Sequence, residues 1–218
     1  MALAIFDLDN TLLDGDSDYL WGCFLASCGI VDGAHYEREN ERFYLEYQAG
    51  TLDIAEFLRF SLRPLRDHPR SQMEALRARF VEEQIAPIML PAAYDLIATH
   101  KASGDTPLII TATNAFVTAP IAARFRVDHL IATLPEERDG VYTGEVSGVP
   151  SFREGKVTRL QAWLEDQGMT LEGSAFYSDS HNDIPLLERV DRPVAVDPDD
   201  RLRETAQARG WPILSLRG

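Results

Sequence analysis

Leu3-Ala4-Ile5-Phe6-Asp7-Leu8-Asp9-Asn10-Thr11-Leu12 is the stretch on which the fold turns. Its apolar run over 3–8 ends in a polar burst, the pattern of a central strand buried on both faces. A period of two places the Asp7 and Asp9 side chains on one side of the chain while Leu8 turns into the core. Two carboxylates at a strand end suit a hard cation such as Mg²⁺, which takes oxygen ligands and keeps several waters. They also permit a division of labour in which one attacks and the other moves a proton. An acidic exit from a strand into a turn has the same composition, so the pair by itself leaves function open.

On the C-terminal side of this stretch the chain changes character. Residues 17–86 carry helical periodicity (Tyr19, Leu20, Cys23, Phe24; Phe43, Tyr44, Tyr47; Ile54, Phe57, Leu58), and Gly29, Gly33, Gly50 and Pro64 divide them into about four expected helices. The apolar and aromatic stripe of Trp21, Phe24, Phe43, Tyr44 and Tyr47 is expected to pack within a helical bundle, with a dimer surface as the other use. Pro87 and Pro91 bracket the return to the main body. From there helices are expected at 92–102, 114–125, 154–167, 184–190 and 200–208. Strands are expected at 107–111, 129–133, 175–177, 193–196 and 212–214, with a hairpin over 141–149 after the Asp139-Gly140 turn signal. Alternation of this kind predicts the α/β class, a mainly parallel sheet covered by helices on both faces in a Rossmann-like three-layer α/β/α core.

Three further polar groups fall where elements begin or end. Thr111, followed by Ala112, Thr113 and Asn114, closes a strand ahead of a helix, offering a hydroxyl and backbone N–H groups as a phosphate seat; helix capping by Thr113 or Asn114 is the plainer use. Lys156 is one of two lysines against nineteen arginines, a compact ammonium in a chain that otherwise prefers Arg. Tyr177-Ser178-Asp179-Ser180-His181-Asn182-Asp183 is a second acidic strand end. Asp179 and Asp183 are four apart and can approach one point if a helix starts near His181, itself expected to face solvent. An acidic pair, a hydroxyl, a lysine and a second acidic pair, in that order, are the parts of a Mg²⁺-dependent phosphoryl-transfer site.

Composition narrows the partners. The 218 residues carry 21 Lys+Arg against 35 Asp+Glu, a net charge of −14, with 45% hydrophobic residues. The core is therefore ample, and the acidic balance argues against nucleic acid or an anionic membrane as partner. Thr106 to Ala123 is the longest uncharged stretch, but two prolines, Asn114 and four threonines mark it as strand and helix rather than a membrane span. Cys23 and Cys28 match neither a disulfide framework nor a zinc spacing. With no basic leader before the first strand, a cytoplasmic protein is expected. No Gly-x-Gly-x-x-Gly follows that strand, which removes the dinucleotide fingerprint.

Together these motifs resemble the haloacid dehalogenase superfamily, in its phosphoserine-phosphatase-like branch. Asp7-Leu8-Asp9-Asn10-Thr11-Leu12 is similar to its first motif, Thr111 to its Ser/Thr motif, Lys156 to its basic motif, and Ser178-Asp179-Ser180-His181-Asn182-Asp183 to its last acidic motif. The resemblance implies a catalytic core of residues 1–15 and 87–218 with an all-helical C1-type cap inserted at 16–86. It implies Asp7 as nucleophile and Asp9 as general acid/base. Mg²⁺ would be held by Asp7, the Asp9 carbonyl and Asp179, supported by Asn182 and Asp183. Thr111 and Lys156 would address the phosphoryl oxygens, and Thr113 and Asn114 would lie beside them. Asp16 stands where the branch has a glutamate that faces a substrate amine; Asp18, Arg59 and Arg63 are further cap candidates. The second Asp of the first motif, absent from dehalogenases, favours phosphate chemistry. Thr111-Ala112-Thr113 and Ser178-Asp179-Ser180 depart from the branch's Ser-Gly-Gly and Gly-Asp-Gly and loosen a strict phosphoserine assignment.

The resemblance thus implies a phosphatase for a small phosphomonoester, with histidinol phosphate and phosphoserine as candidates, working as monomer or homodimer. A phosphomutase or phosphotransferase on the same core is one alternative. The other is a signalling module phosphorylated on Asp, disfavoured by the helical insertion and by the acidic motif at 179–183.

Overall fold

The computed structural model describes residues 2–217. Strand β1 (Leu3–Phe6) is buried along its whole length. It is followed by five α-helices: α1 (Ser17–Ser27), α2 (Gly33–Ala49), α3 (Ile54–Ser61), α4 (Arg63–Asp67) and α5 (Arg70–Phe80). A π-helical turn at Val81–Ile85 and a 3₁₀ turn at Ala86–Ile88 lead out of this insertion. The remainder alternates: α6 (Pro91–Ala102), β2 (Thr106–Asn114), α7 (Ala115–Arg124), β3 (His129–Arg138), β4 (Val141–Ser147), α8 (Glu154–Gln167), β5 (Ala175–Ser178), α9 (Ile184–Leu187), β6 (Arg192–Val196), α10 (Asp200–Arg209) and β7 (Ile213–Leu214).

The strands form one seven-stranded sheet in the order β4-β3-β2-β1-β5-β6-β7. Every neighbouring pair is parallel except β3 with β4. That exception is the expected hairpin, turned by Asp139 and Gly140 with both φ angles positive (51° and 81°), as a two-residue type I′ turn requires. The chain builds outward from β1 on one side through β2 and β3, then crosses back to β5 on the other. The crevice at this reversal is where open α/β sheets hold their ligands.

Both faces of the sheet are covered, which is why its strands read as continuous apolar runs rather than alternating ones. Leu3, Ile5, Leu108, Ile110 and Phe176 pack against Leu160 and Leu164 of α8, Leu187 of α9 and Leu202 of α10. On the opposite face Phe6, Ile109, Tyr177 and Val194 meet α6 and α7, and the same cluster continues into the insertion through Trp21, Phe24, Leu62 and Phe80. The insertion leaves and rejoins the sheet through adjacent chains: Leu13 bridges Met89 antiparallel, the Asp14 N–H donates to the Ile88 carbonyl at 2.8 Å, and the Leu90 N–H donates to the Leu12 carbonyl at 3.1 Å.

Five helices, not about four, fill residues 17–86, because Pro64 starts a separate short helix rather than ending one. The expected helix at 184–190 is shortened to Leu187, preceded by a 3₁₀ turn over His181–Asp183. Strand β3 runs five residues beyond Thr133, because the hairpin pairs it with β4. Among the described residues no helix is long and apolar enough to cross a membrane.

Candidate active site

Asp7 leaves the carboxyl end of β1, its N–H extending the ladder to the Tyr177 carbonyl at 2.9 Å. Its Oδ1 accepts from the Lys156 Nζ at 2.7 Å, and the same ammonium donates to the Asp183 carboxylate at 2.8 Å. Asp183 also accepts from the Ser178 hydroxyl at 2.7 Å. All three charged groups are buried, a position tolerated because the ammonium sits between two carboxylates. The chain ahead of Lys156 folds tightly on its own loop: a Cβ on Gly155 would collide with the Pro150 carbonyl oxygen, so only glycine fits there.

Burial pushes the Asp7 carboxyl up to about 7; Lys156 opposes this, and Asp183 and Asp9 add to it. Burial also works against the Lys156 ammonium, but Asp183 and Asp7 outweigh it and hold its pKa above the ordinary lysine range. Asp179, at the end of β5, is raised well above the carboxylate range by burial and by the charges of Asp7 and Asp183. The Thr11 hydroxyl donates to its Oδ1 at 3.0 Å and accepts from its N–H at 3.0 Å. Carboxylates thus outnumber ammonium here, and the donors are all oxygen, the set that a hard divalent cation takes.

Asp9 is held differently. The Ser17 N–H donates to its Oδ1 at 2.7 Å, while Thr111 and Thr113 hydroxyls donate to its Oδ2 at 3.2 and 2.8 Å. The two threonines share a face of β2 by the strand period, so one strand fixes the carboxylate from one side and the start of α1 from the other.

A cavity of about 590 Å³, mouth included, opens over these groups. Its floor is Asp7, Asp9, Thr111, Thr113 and Lys156; its roof is Tyr19, Phe43, Tyr44, Tyr47 and Phe57 of the insertion, with Phe152 from the loop before α8. Asp16 and Asp18 stand on its wall. Asp16 caps α1, accepting from the Asp18 and Tyr19 N–H groups at 3.0 and 2.8 Å. Burial, reinforced by Asp9, raises its pKa to about 7, and burial with Asp16 and Asp9 raises Asp18 well above the usual carboxylate range. Among the described residues Lys156 is the single basic side chain on the wall.

Several expectations are corrected by these positions. Asn114 is buried outside the cavity wall, where its Oδ1 accepts from the Val117 N–H at 3.2 Å and caps α7. Asn182 does not turn toward the acidic pair: its Oδ1 accepts from Arg153 Nε at 2.9 Å, and its amide donates to the Tyr47 carbonyl at 3.3 Å. His181 is not solvent-facing; its side chain is 12% exposed and its Nδ1 lies 2.7 Å from Asp199 Oδ2. Arg59 and Arg63 are absent from the wall, Arg63 pairing with Asp67 at 3.1 Å on the surface. The aromatic stripe divides: Trp21 stacks near Phe24 and Phe80 in the core, whereas Phe43, Tyr44 and Tyr47 line the cavity. The sequence did carry a signal for that division, since a tyrosine placed in a core must find a partner for its hydroxyl. Arg153, which contacts Asn182 and the insertion together, had no signal short of the fold.

The family of haloacid dehalogenase-like hydrolases matches residues 4–188. Among curated proteins, a histidinol-phosphatase of Neisseria meningitidis is 44% identical over 99% of both chains. A phosphoserine phosphatase of Mycobacterium tuberculosis is 32% identical over 99% of this chain and 71% of its own length. Among solved structures, a Bordetella pertussis protein of unknown function superposes with a TM-score of 0.93 at 48% identity, covering 99% of this chain and 98% of the other. A phosphoserine phosphatase in a phospho-aspartyl intermediate analogue state shares the fold, at a TM-score of 0.72 and 21% identity over 99% and 93% of the two chains. The chain therefore belongs to the haloacid dehalogenase-like hydrolase family, among relatives named phosphatases.

Proposed function

We propose that this hydrolase is a phosphatase for a small phosphomonoester whose leaving group is cationic and carries no carboxylate, with histidinol phosphate as the first candidate. The observation that carries this reading is the charge layout of the cavity: the ammonium of Lys156 lies at the Asp7 end, and two carboxylates with no opposing cation, Asp16 and Asp18, lie on the wall among aromatic rings. An amine or imidazolium is attracted by such a wall, through the ring faces and through the two acids, whose charged form a bound cation favours. Phosphoserine, the second candidate, brings a carboxylate for which the wall away from Lys156 offers no cation, only Asp16 and Asp18 and neutral groups such as Asn40 and the tyrosines. The similarity to a protein named histidinol-phosphatase supports the same choice.

In the proposed reaction an Asp7 carboxylate oxygen forms a bond to phosphorus as the bond from phosphorus to the alkoxide breaks, and Asp9 gives its proton to that alkoxide. Asp9, now anionic, takes a proton from water. The water oxygen bonds to phosphorus, the Asp7–phosphorus bond breaks, and inorganic phosphate leaves. Thr111 and Thr113 hold Asp9 in line for both transfers. Lys156 faces the phosphoryl oxygens while Asp183 and Ser178 keep it in place. Asp7, the Asp9 carbonyl and Asp179 would hold Mg²⁺, which offsets the repulsion between carboxylate and phosphate dianion. The insertion, residues 16–86, acts as a cap that excludes water and reads the leaving group. A cytoplasmic setting and a monomer or homodimer belong to the same reading.

The test is phosphate release from histidinol phosphate, phosphoserine and p-nitrophenyl phosphate, with Mg²⁺ and with chelator, wild type beside Asp7→Asn. Mg²⁺-dependent release that favours histidinol phosphate and vanishes in the variant is expected. Equal activity of wild type and variant would remove Asp7 as nucleophile; a preference for phosphoserine would remove the charge argument.

A further inference from the structure

Phe152, Arg153, Glu154 and Gly155 form a turn closed by the Gly155 N–H donating to the Phe152 carbonyl at 2.8 Å. Arg153 stands at its first central position with φ 51° and ψ −122°, the conformation of a type II′ turn, which glycine adopts freely and a residue with a Cβ adopts under strain. A chain that uses glycine two residues later has an arginine at this point, and the strain points to a contribution from its side chain.

What the guanidinium touches shows the need. Nε donates to Asn182 Oδ1 at 2.9 Å, in the acidic motif of the sheet, and Nη2 donates to the Gly50 carbonyl at 2.5 Å, at the end of α2 in the insertion. Its Cζ lies 4.8 Å from the centre of the Phe152 ring, which lines the cavity. Beside it Arg201 Nη1 donates to the Ala49 carbonyl at 3.0 Å, and the Asn182 amide reaches the Tyr47 carbonyl. The last carbonyls of a helix lack i+4 partners and carry its negative dipole end; here two guanidiniums from the sheet side take those of Ala49 and Gly50, and the Asn182 amide adds to that of Tyr47, which also accepts from the Gly50 N–H. Gly50 makes the approach possible: its φ is +72°, and a Cβ there would lie 2.7 Å from His181 Nε2 and 2.9 Å from Arg201 Nη1.

We propose that Arg153, assisted by Arg201, is a positioning residue that clamps the C-terminal end of α2 onto the acidic loop, so that one side chain sets both the roof of the cavity and the placement of Asn182. The activity arm of its test rests on the phosphatase reading; a second arm does not.

Arg153→Gly and Arg153→Ala separate side chain from backbone. Both are expected to lower kcat/KM about tenfold, while Arg153→Gly melts at or above the wild-type temperature and above Arg153→Ala, because strain is relieved. Arg153→Lys, which keeps the charge and loses the fork, is expected to recover only part of the loss. Independently of activity, exchange of the Gly50 and Thr51 amides, which donate to the Tyr47 and Glu46 carbonyls, should accelerate in both variants and in Arg201→Ala. Wild-type activity and exchange in Arg153→Gly would overturn the proposal, and so would activity lost in the alanine variant but regained in the glycine variant. If no Arg153 variant folds, unchanged exchange of these two amides in Arg201→Ala overturns the clamp. A wild-type protein inactive toward every ester would fail the phosphatase reading, and the exchange arm would still decide the clamp.

Discussion

The floor and the roof of the cavity are built by different means. The floor hangs on neighbouring strand ends and the first turn of α8, and is tied side chain to side chain: Lys156 to Asp7 and Asp183, Thr111 and Thr113 to Asp9, with Thr11 tied to Asp179 beside it. The roof is a set of rings on α1, α2 and α3, with a few polar contacts down to the sheet side through Tyr47, Ala49 and Gly50. In the proposed reaction a floor of this kind fixes the reacting groups whatever the substrate. Under the same reading, a roof of this kind can change the leaving group it accepts while touching them chiefly through the Ser17 N–H on Asp9.

The contrast is broken most severely at Lys156. Lys156→Met leaves Asp7 and Asp183 buried without their partner, and a loss of about 3–5 kcal/mol in denaturant unfolding at pH 8 is expected, with phosphate release abolished for every ester. The loss should shrink at pH 5. Asp7 already titrates near 7 beside the lysine, and without it the folded-state pKa rises further, so protonation relieves the unpaired charge as pH falls. A variant as stable as wild type at pH 8 would show that the floor does not depend on the pair.

Next in size is Asp9→Asn, expected to lower kcat by on the order of 10²–10⁴ for an alkyl phosphate. The effect should be smallest for p-nitrophenyl phosphate, whose leaving oxygen needs no proton. Equal losses for both esters would place Asp9 in orientation rather than proton transfer.

On the roof side, Asp18→Asn is expected to raise KM for the cationic ester about tenfold, worth about 1.4 kcal/mol, with p-nitrophenyl phosphate within about twofold of wild type. Parallel losses on both would dissolve the distinction between the two regions.

The smallest effect sharpens it. Burial and Asp9 raise Asp16 to about 7, so between about pH 4, its unfolded range, and pH 7 the folded state binds more protons and stability falls as pH rises. Asp16→Asn keeps a helix cap and removes the charge. It should melt higher than wild type at pH 8, by about 1 kcal/mol because water screens this half-buried group, and no higher at pH 4. Weaker binding of the cationic ester alongside that gain would mark Asp16 as a residue kept for function at the expense of stability.

Legibility in the sequence divides along the same line. Asp7, Asp9 and Thr111 could be read because strand period and strand ends fix where such side chains go; Lys156, on α8, was marked by its rarity among nineteen arginines, and the structure brings all four to one floor. The parallel core and the hairpin at Asp139-Gly140 were legible for the same local reasons. Phe43 was not, because helical periodicity marks a face as apolar without saying whether it meets a core or a cavity; for Tyr44 and Tyr47 only the hydroxyls hinted at the cavity. Asn182 and His181 sit on a 3₁₀ turn, where neither period applies, and their directions are set by Arg153 and Asp199 across the fold. Arg153 owes its part to three distant segments meeting.

The bridge between Leu13 and Met89 has an engineering consequence. Paired residues of this kind lie about 5 Å apart, a gap that a two-residue turn can span. Under the proposed reading the roof is an exchangeable cassette: a helical segment from another member could be spliced in at this junction to move leaving-group preference, with the N–H that Ser17 gives Asp9 replaced by one from the donor's first helix. The condition is that the donor segment bring apolar side chains to replace Trp21, Phe24 and Phe80, which complete the core beneath.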